Sequence, residues 1–170
     1  RLIPFNSDYA LEAYKWYHDK SVQNFFRGFV KGMSVADAAS LPSVMHAHVL
    51  IGVDADKVVG CVSFADTDKI LRSYKVGLLV DPDYQKQQYG LKLAYQGLAW
   101  AFLKMNAHKV TAEVMDSDER LLACCRKFGL VDEGVKRASV FMDGAYHNEV
   151  VLSILRHEFL TGGKYEKYAV

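Results

Sequence analysis

A strand that breaks at a proline and resumes as a helix limits most of what this chain can fold into. Tyr74 to Val80 is hydrophobic and rich in strand-forming residues. Asp81-Pro82-Asp83 cannot extend it, because Pro82 has no N–H to give a ladder and biases Asp81 towards an extended conformation. From Gly90 the period changes. Leu91, Ala94, Leu98, Ala101, Phe102 and Met105 recur at helical spacing and predict one apolar face. Between strand and helix lies the polar run Gln85-Lys86-Gln87-Gln88-Tyr89-Gly90. N–H groups at a helix N-terminus point outwards and the helix dipole adds partial positive charge, so this loop suits a phosphate or pyrophosphate.

The remaining segments arrange themselves around that unit. Leu2 to Phe5 predicts a short edge strand, where Pro4 is tolerated. Asn6, Ser7 or Asp8 can cap the helix that follows, whose apolar face is Ala10, Leu11, Tyr14 and Tyr17. Asp19 to Val30, with Phe25-Phe26, reads as a second short helix or loop. Ser34 caps another short helix, expected to end near Pro42. His48–Val53 and Val58–Phe64 predict an antiparallel pair about the turn 54–57. Lys109–Met115 is the next strand, and strand, crossover helix and strand of this length predict a parallel β-α-β unit. Ser117 or Asp118 caps a further helix with Leu121, Leu122, Cys125 and Phe128 on its apolar face, ended by Gly129. Asp143-Gly144 predicts a two-residue hairpin turn, and Val150–Leu155 a last core strand.

Length and charge bound the function. The 170 residues suffice for one domain with a real core, expected over 1–160 with a polar tail at 161–170. A net charge of +1 argues against general nucleic-acid or anionic-membrane binding. No apolar run approaches the length of a membrane-spanning helix. The chain begins at Arg1 rather than Met, which leaves an upstream signal open. Cys61, Cys124 and Cys125 are an odd set with two adjacent, which is no disulfide framework and points to a reducing compartment, the cytoplasm. His46-x-His48 has no third ligand at useful spacing, so no metal is expected.

Two stretches resemble one family. Val80-Asp-Pro-Asp-Tyr84 followed by Gln85-x-x-Gln88-x-Gly90 is similar to the acetyl-CoA-binding motif [Gln/Arg]-x-x-Gly-x-[Gly/Ala] of the GNAT superfamily of N-acetyltransferases. Gln88 replaces the first glycine. If it takes a left-handed conformation, the cost is roughly 1–2 kcal/mol. Asp118 to Leu130 and Asp132-Glu-Gly134 resemble a second GNAT segment, with Lys127, Gly129 and Gly134 matching. There Asp118 stands where Asn is usual and Cys125 where Tyr is usual. Lys136 to Asn148 is similar to the closing hairpin of the Rim-type and spermidine acetyltransferases. The resemblance is specific over about residues 73–156.

That resemblance implies an α+β (α/β) GNAT fold: a mixed, mostly antiparallel sheet of six to seven strands flanked by helices. Strands 73–80 and 109–115 would run parallel and splay apart at their C-terminal ends. Acetyl-CoA would enter there as co-substrate, with its pyrophosphate on Gln85, Lys86, Gln87, Gln88, Tyr89, Gly90 and Leu91, and Asp118 nearby. Its pantetheine would pair with the main chain at Leu79 and Val80, and an N–H near Leu78 or Leu79 would serve as oxyanion donor. The region around Phe25 and Phe26 would cover the acceptor pocket, though both suit core packing equally. A homodimer is compatible with this family.

The chemistry implied is direct attack of a primary amine on the thioester. The acceptor would be a polyamine, an amino sugar, a protein N-terminus or a modified nucleotide. The amine must lose a proton and the leaving thiolate gain one. Glu113 is the candidate base, its pKa raised by partial burial, although the same position suits a solvated strand glutamate. Cys125, in the family's tyrosine position, is the candidate acid, although its place on one face with Leu121 and Phe128 fits a buried core cysteine better. Tyr146 and Tyr74 are substitute donors. Some Rim-type relatives carry Glu where this chain has Lys75. The departures at Lys75, Gln88, Asp118 and Cys125 keep a second reading open, a non-catalytic GNAT-fold module that binds CoA or a protein partner. A third reading, another phosphate-binding β-α-β protein, lacks a Gly-x-x-x-x-Gly-Lys-[Ser/Thr] or Gly-x-Gly-x-x-Gly motif at the turn.

Overall fold

The hydrophobic run of the central strand, β4 (Ser73–Val80), forms the fourth strand of a seven-stranded sheet in a computed structural model that describes residues 1–22 and 32–162. The other strands are β1 (Leu2–Pro4), β2 (Ala47–Asp54), β3 (Lys57–Asp68), β5 (Lys109–Met115), β6 (Val131–Met142) and β7 (Ala145–Leu155). Their spatial order is β1-β2-β3-β4-β5-β7-β6, and every neighbouring pair is antiparallel except β4 and β5. The expected GNAT-type mixed sheet is therefore present, with Pro4 on the edge strand. Asp143 and Gly144, both at positive φ (52° and 80°), make the predicted hairpin turn between β6 and β7.

The crossover from β4 to β5 runs through α4 (Tyr89–Ala99). Its core face is Leu93, Gly97 and Leu98, continued by Ala101 and Phe102. Leu91 shares the line of Ala94 and Leu98 but is exposed, against expectation, because the first turn stands beside the place where the sheet parts. The helix also widens before Met105: residues Trp100–Lys104 form a π-turn, closed by the Met105 N–H donating to the Trp100 carbonyl at 3.1 Å.

The helices α1 (Ala10–His18), α2 (Val35–Ala39) and α3 (Leu41–Met45) pack Trp16, Ala38 and Leu41 onto Ile51, Cys61 and Leu79 of the sheet. Ser34 caps α2 in a reciprocal box with Asp37. Pro42 does not end that helix. It sits in the first turn of α3, where a missing N–H costs nothing. On the opposite face α4, α5 (Glu119–Lys127) and α6 (Arg156–Thr161) enclose the larger core, which holds Phe64, Phe102, Val110, Leu152 and Ile154. The helix or loop expected around Phe25 and Phe26, and most of the 161–170 tail, lie outside the described residues.

Candidate functional site

β4 and β5 pair only at Ser73↔Lys109, Tyr74↔Val110 and Lys75↔Thr111. Beyond Lys75 they have no partner in each other, so the sheet opens towards their C-terminal ends. β4 stays paired with β3 as far as Gly60↔Val80. The Asp81 N–H donates to the Val59 carbonyl at 3.0 Å. Hydrogen-bonding direction alternates along an antiparallel pair, so the main-chain groups of Leu79 also face β3. Those of Val76, Leu78 and Val80 face the opening. This moves the expected donor and strand edge from Leu79 to Leu78 and Val80. The Leu79 side chain is buried among α1–α3, whereas Leu78 is 36% exposed.

The loop after β4 is anchored at both ends. Asp81 accepts from the Trp16 indole N–H at 2.7 Å through one oxygen and from the Asp83 N–H at 2.9 Å through the other. Pro82–Tyr84 is a single 3-10 turn, ended by Gln85 in an extended conformation. Gln87 donates its side-chain N–H to the Asp83 carbonyl at 3.1 Å. The Tyr89 hydroxyl donates to Asp54 at 2.8 Å, a bond that pushes its pKa up. Lys86 and Gln88 both hold φ at 64°, so position 88 is left-handed as the glycine of the motif would allow. Gln88 is the N-cap of α4, yet its side chain makes no capping bond. The first amides of α4 are thus left without a side-chain acceptor at the positive end of the helix dipole. A Cβ on Gly90 would meet only Val80 Cγ2, at an ordinary 3.5 Å. Nothing within the chain requires glycine there.

Asp118 and Cys125 take the capping and core places that the sequence also allowed. Asp118 accepts from the Leu121 N–H at 3.0 Å and caps α5. Cys125 packs against the larger core, and burial pushes its thiol up to about 11. A thiol this weak does not readily protonate a departing thiolate of ordinary acidity. Tyr146 is 70% exposed at the hairpin tip, beyond the last β5–β7 pair Met115↔Glu149, and its ring lies 5.1 Å from that of Phe141. Tyr74 is half-buried near His48, with ring centroids 6.4 Å apart.

Glu113 corrects the expectation of a raised pKa. Burial pushes its carboxyl up, but the hydrogen bond from Lys136 and the charges of Lys75 and Lys136 outweigh it and hold the carboxyl below its ordinary value. One oxygen accepts from Lys136 and the other lies 3.5 Å from the Lys75 ammonium. A carboxylate held this way is a weakened base. The sequence offered no signal for Lys136, which reaches Glu113 from β6, or for Trp16, which sits 65 residues from Asp81. Side-chain contacts at such separation follow only from strand order.

Among the described residues, no cluster of three or more His, Cys, Asp or Glu could hold a metal ion, and no helix is long and apolar enough to cross a membrane.

Comparison with known proteins agrees with this geometry. Residues 8–130 match the model of the acetyltransferase (GNAT) family. A spermidine N(1)-acetyltransferase of Escherichia coli is 24% identical over 115 residues, 68% of this chain and 61% of that protein. A prophage-derived uncharacterized N-acetyltransferase of Bacillus subtilis, YokL, is 26% identical over 110 residues, 64% of this chain and 62% of that protein. The matches thus span less than two thirds of these relatives' length. In structure, the spermidine/spermine N-acetyltransferase SpeG of Vibrio cholerae, in complex with manganese ions, superposes with a TM-score of 0.82 at 18% identity, covering 96% of each chain. A chimera of the Vibrio cholerae enzyme and hSSAT gives 0.84 at 18% identity, covering 95% of this chain and 98% of that one. On the family model, which takes in more than half of its residues, the chain belongs to the acetyltransferase (GNAT) family.

Proposed function

We propose that the protein is an acetyl-CoA-dependent N-acetyltransferase that acts on a primary amine. The observation that carries this reading is the parting of β4 from β5 next to an uncapped α4 N-terminus. Acetyl-CoA supplies an acyl group activated as a thioester. The residues present fit it. Its pyrophosphate would take the free amides from Gln88 to Leu91, and Lys86 adds a positive charge. Gly90 leaves room for close approach where the fold itself has no need of glycine. The turned-out main chain of Leu78 and Val80 offers strand-like pairing to pantetheine, and Leu78 and Leu91, both exposed, give it apolar cover. The Leu78 N–H is the oxyanion donor in this reading, in place of Leu79.

With Glu113 held by two lysines and Cys125 a weak acid, the amine proton passes to water and the thiolate is solvated or protonated from solvent. The same two observations favour a second reading, a GNAT-fold module that binds CoA without turning it over. Free Cys61, Cys124 and Cys125 support a reducing compartment such as the cytoplasm. A homodimer is supported by β6, an edge strand with exposed Val135 and Phe141.

Calorimetric titration with CoA tests the site. The Gly90→Asp variant, which puts a like charge beside the pyrophosphate, is expected to lose affinity by about tenfold or more. Unchanged affinity would remove the loop from the site. Transfer of labelled acetyl to a panel of amines separates the enzyme from the binding module.

A further inference from the structure

On the face of the sheet opposite α4, three charged side chains from three strands meet beside the opening. Lys75 is on β4 at the last pair before the strands part, Glu113 is on β5 just past it, and Lys136 is on β6. Strand alternation puts all three on one face, since Val110, Ala112 and Val114 turn to the larger core on the other. The second core, under α1–α3, includes no described residue of β5, β6 or β7, and this part of the face carries Thr111, Glu113 and Lys136 beside Val151. The three differ in what they present. The Glu113 side chain is 17% exposed, with Lys75 and Lys136 at 45% and 49%. Glu149, across from Lys136 in register, is buried and accepts from the Ser139 hydroxyl at 2.9 Å. A molecule approaching the opening from this face therefore meets two ammonium groups, with the carboxylates beneath them.

We infer that Lys75 and Lys136, drawn together by Glu113 where β4 and β5 part, select the acceptor. They favour a primary amine that carries its own anionic group, a carboxylate or a phosphate. This rests on the transferase reading above. Glu113 is a positioning residue: it holds both ammonium groups at the mouth and does not touch the acceptor. A polycationic acceptor must instead displace two lysines from their carboxylate or approach against their charge. The acceptor's anionic end pairs with the lysines while its amine, a few bonds away, faces the Leu78 main chain. The reaction itself is unchanged: the amine nitrogen forms a bond to the acyl carbon, the carbon–sulfur bond breaks, and the amine proton goes to solvent as CoA leaves.

Three acceptors of similar length isolate the charge: putrescine, γ-aminobutyrate and aminopropyl phosphate. CoA release by the full chain at saturating acetyl-CoA is expected to favour at least one anionic amine over putrescine by about tenfold in kcat/KM. The better of the two anionic amines separates carboxylate from phosphate recognition. The Lys75→Gln, Lys136→Gln double variant is expected to raise KM for that amine with kcat kept, and Lys75→Arg, Lys136→Arg to restore it. Equal or better use of putrescine overturns the inference while leaving the transferase reading intact. So does a double variant whose KM rises for acetyl-CoA and not for the amine. The wild-type comparison decides even if the glutamine variant fails to fold. A chain that does not bind acetyl-CoA in calorimetry sinks the transferase reading, and this inference with it.

Discussion

Gln88 occupies a left-handed conformation that a side chain makes costly, at φ 64°. Replacing it with glycine removes a strain of roughly 1–2 kcal/mol. The greater freedom of glycine in the unfolded chain takes back roughly 0.5–1 kcal/mol. The Gln88→Gly variant is therefore expected to be more stable by up to about 1.5 kcal/mol, read from urea unfolding, with CoA affinity kept. A less stable variant would mean that the glutamine side chain has a role of its own. The position was legible because the family motif has glycine there, whereas left-handed Lys86 carried no such mark. Cys125 was legible only as an ambiguity between acid and core, and its burial favours the core place. Cys125→Ala is expected to keep its turnover and Cys125→Ser to lose about 1–3 kcal/mol of stability for a buried hydroxyl without a partner. Turnover numbers measured beside melting temperatures check both. A stable alanine variant with turnover reduced a hundredfold would return Cys125 to the chemistry.

The crossover helix lies close to the sheet because glycines make room for it. A Cβ on Gly52 would stand 2.4 Å from Leu93 Cδ2, and one on Gly97 3.0 Å from Val62 Cγ1. Gly60, at φ 150°, is tighter still, with a Cβ 2.1 Å from the Leu79 carbonyl oxygen. These clashes differ in kind. Gly52→Ala meets the end of a flexible side chain and is expected to cost about 1–3 kcal/mol. Leu93→Ala alone is expected to cost about 2–5 kcal/mol. The double variant should cost less than the sum, because the truncated side chain frees the space. The same truncation should not rescue Gly60→Ala, whose clash is with backbone. Additive costs in the first cycle, read from urea unfolding, would contradict the packing described. Strand, loop, crossover and hairpin were all legible, since each follows from local pattern and turn chemistry. The choice of Leu93 over Leu91 as the buried residue was not. Both are leucines in the same helix, and only the place where the sheet opens separates them. Pro42 was read as a stop and is a start, because a proline fits either side of a helix boundary.

At the scale of the molecule, Glu113 ties β4, β5 and β6 together across one face. Its folded pKa lies below the ordinary 4.5, so its contribution to stability is present above that value and lost as pH falls through the lower folded one. Stability is expected to decline on acidification below the ordinary value, and less steeply in Glu113→Gln. Equal slopes in the two proteins, measured by urea unfolding against pH, would contradict this. The parallel pair was legible from element sequence; this charge bridge was not, because it joins residues that only the finished sheet brings together. The parting of β4 from β5 also has a mechanical side. Along that line the sheet is two plates riveted at one corner, by the three pairs from Ser73↔Lys109 to Lys75↔Thr111. Amides of Val76, Leu78 and Val80 are expected to exchange with solvent deuterium faster than those of Gly77 and Leu79, and CoA to slow them selectively. Uniform slowing across β4 would point to general stiffening. Selective slowing would mean that the ligand acts as the missing strand, so that the two plates become one sheet only while it is bound.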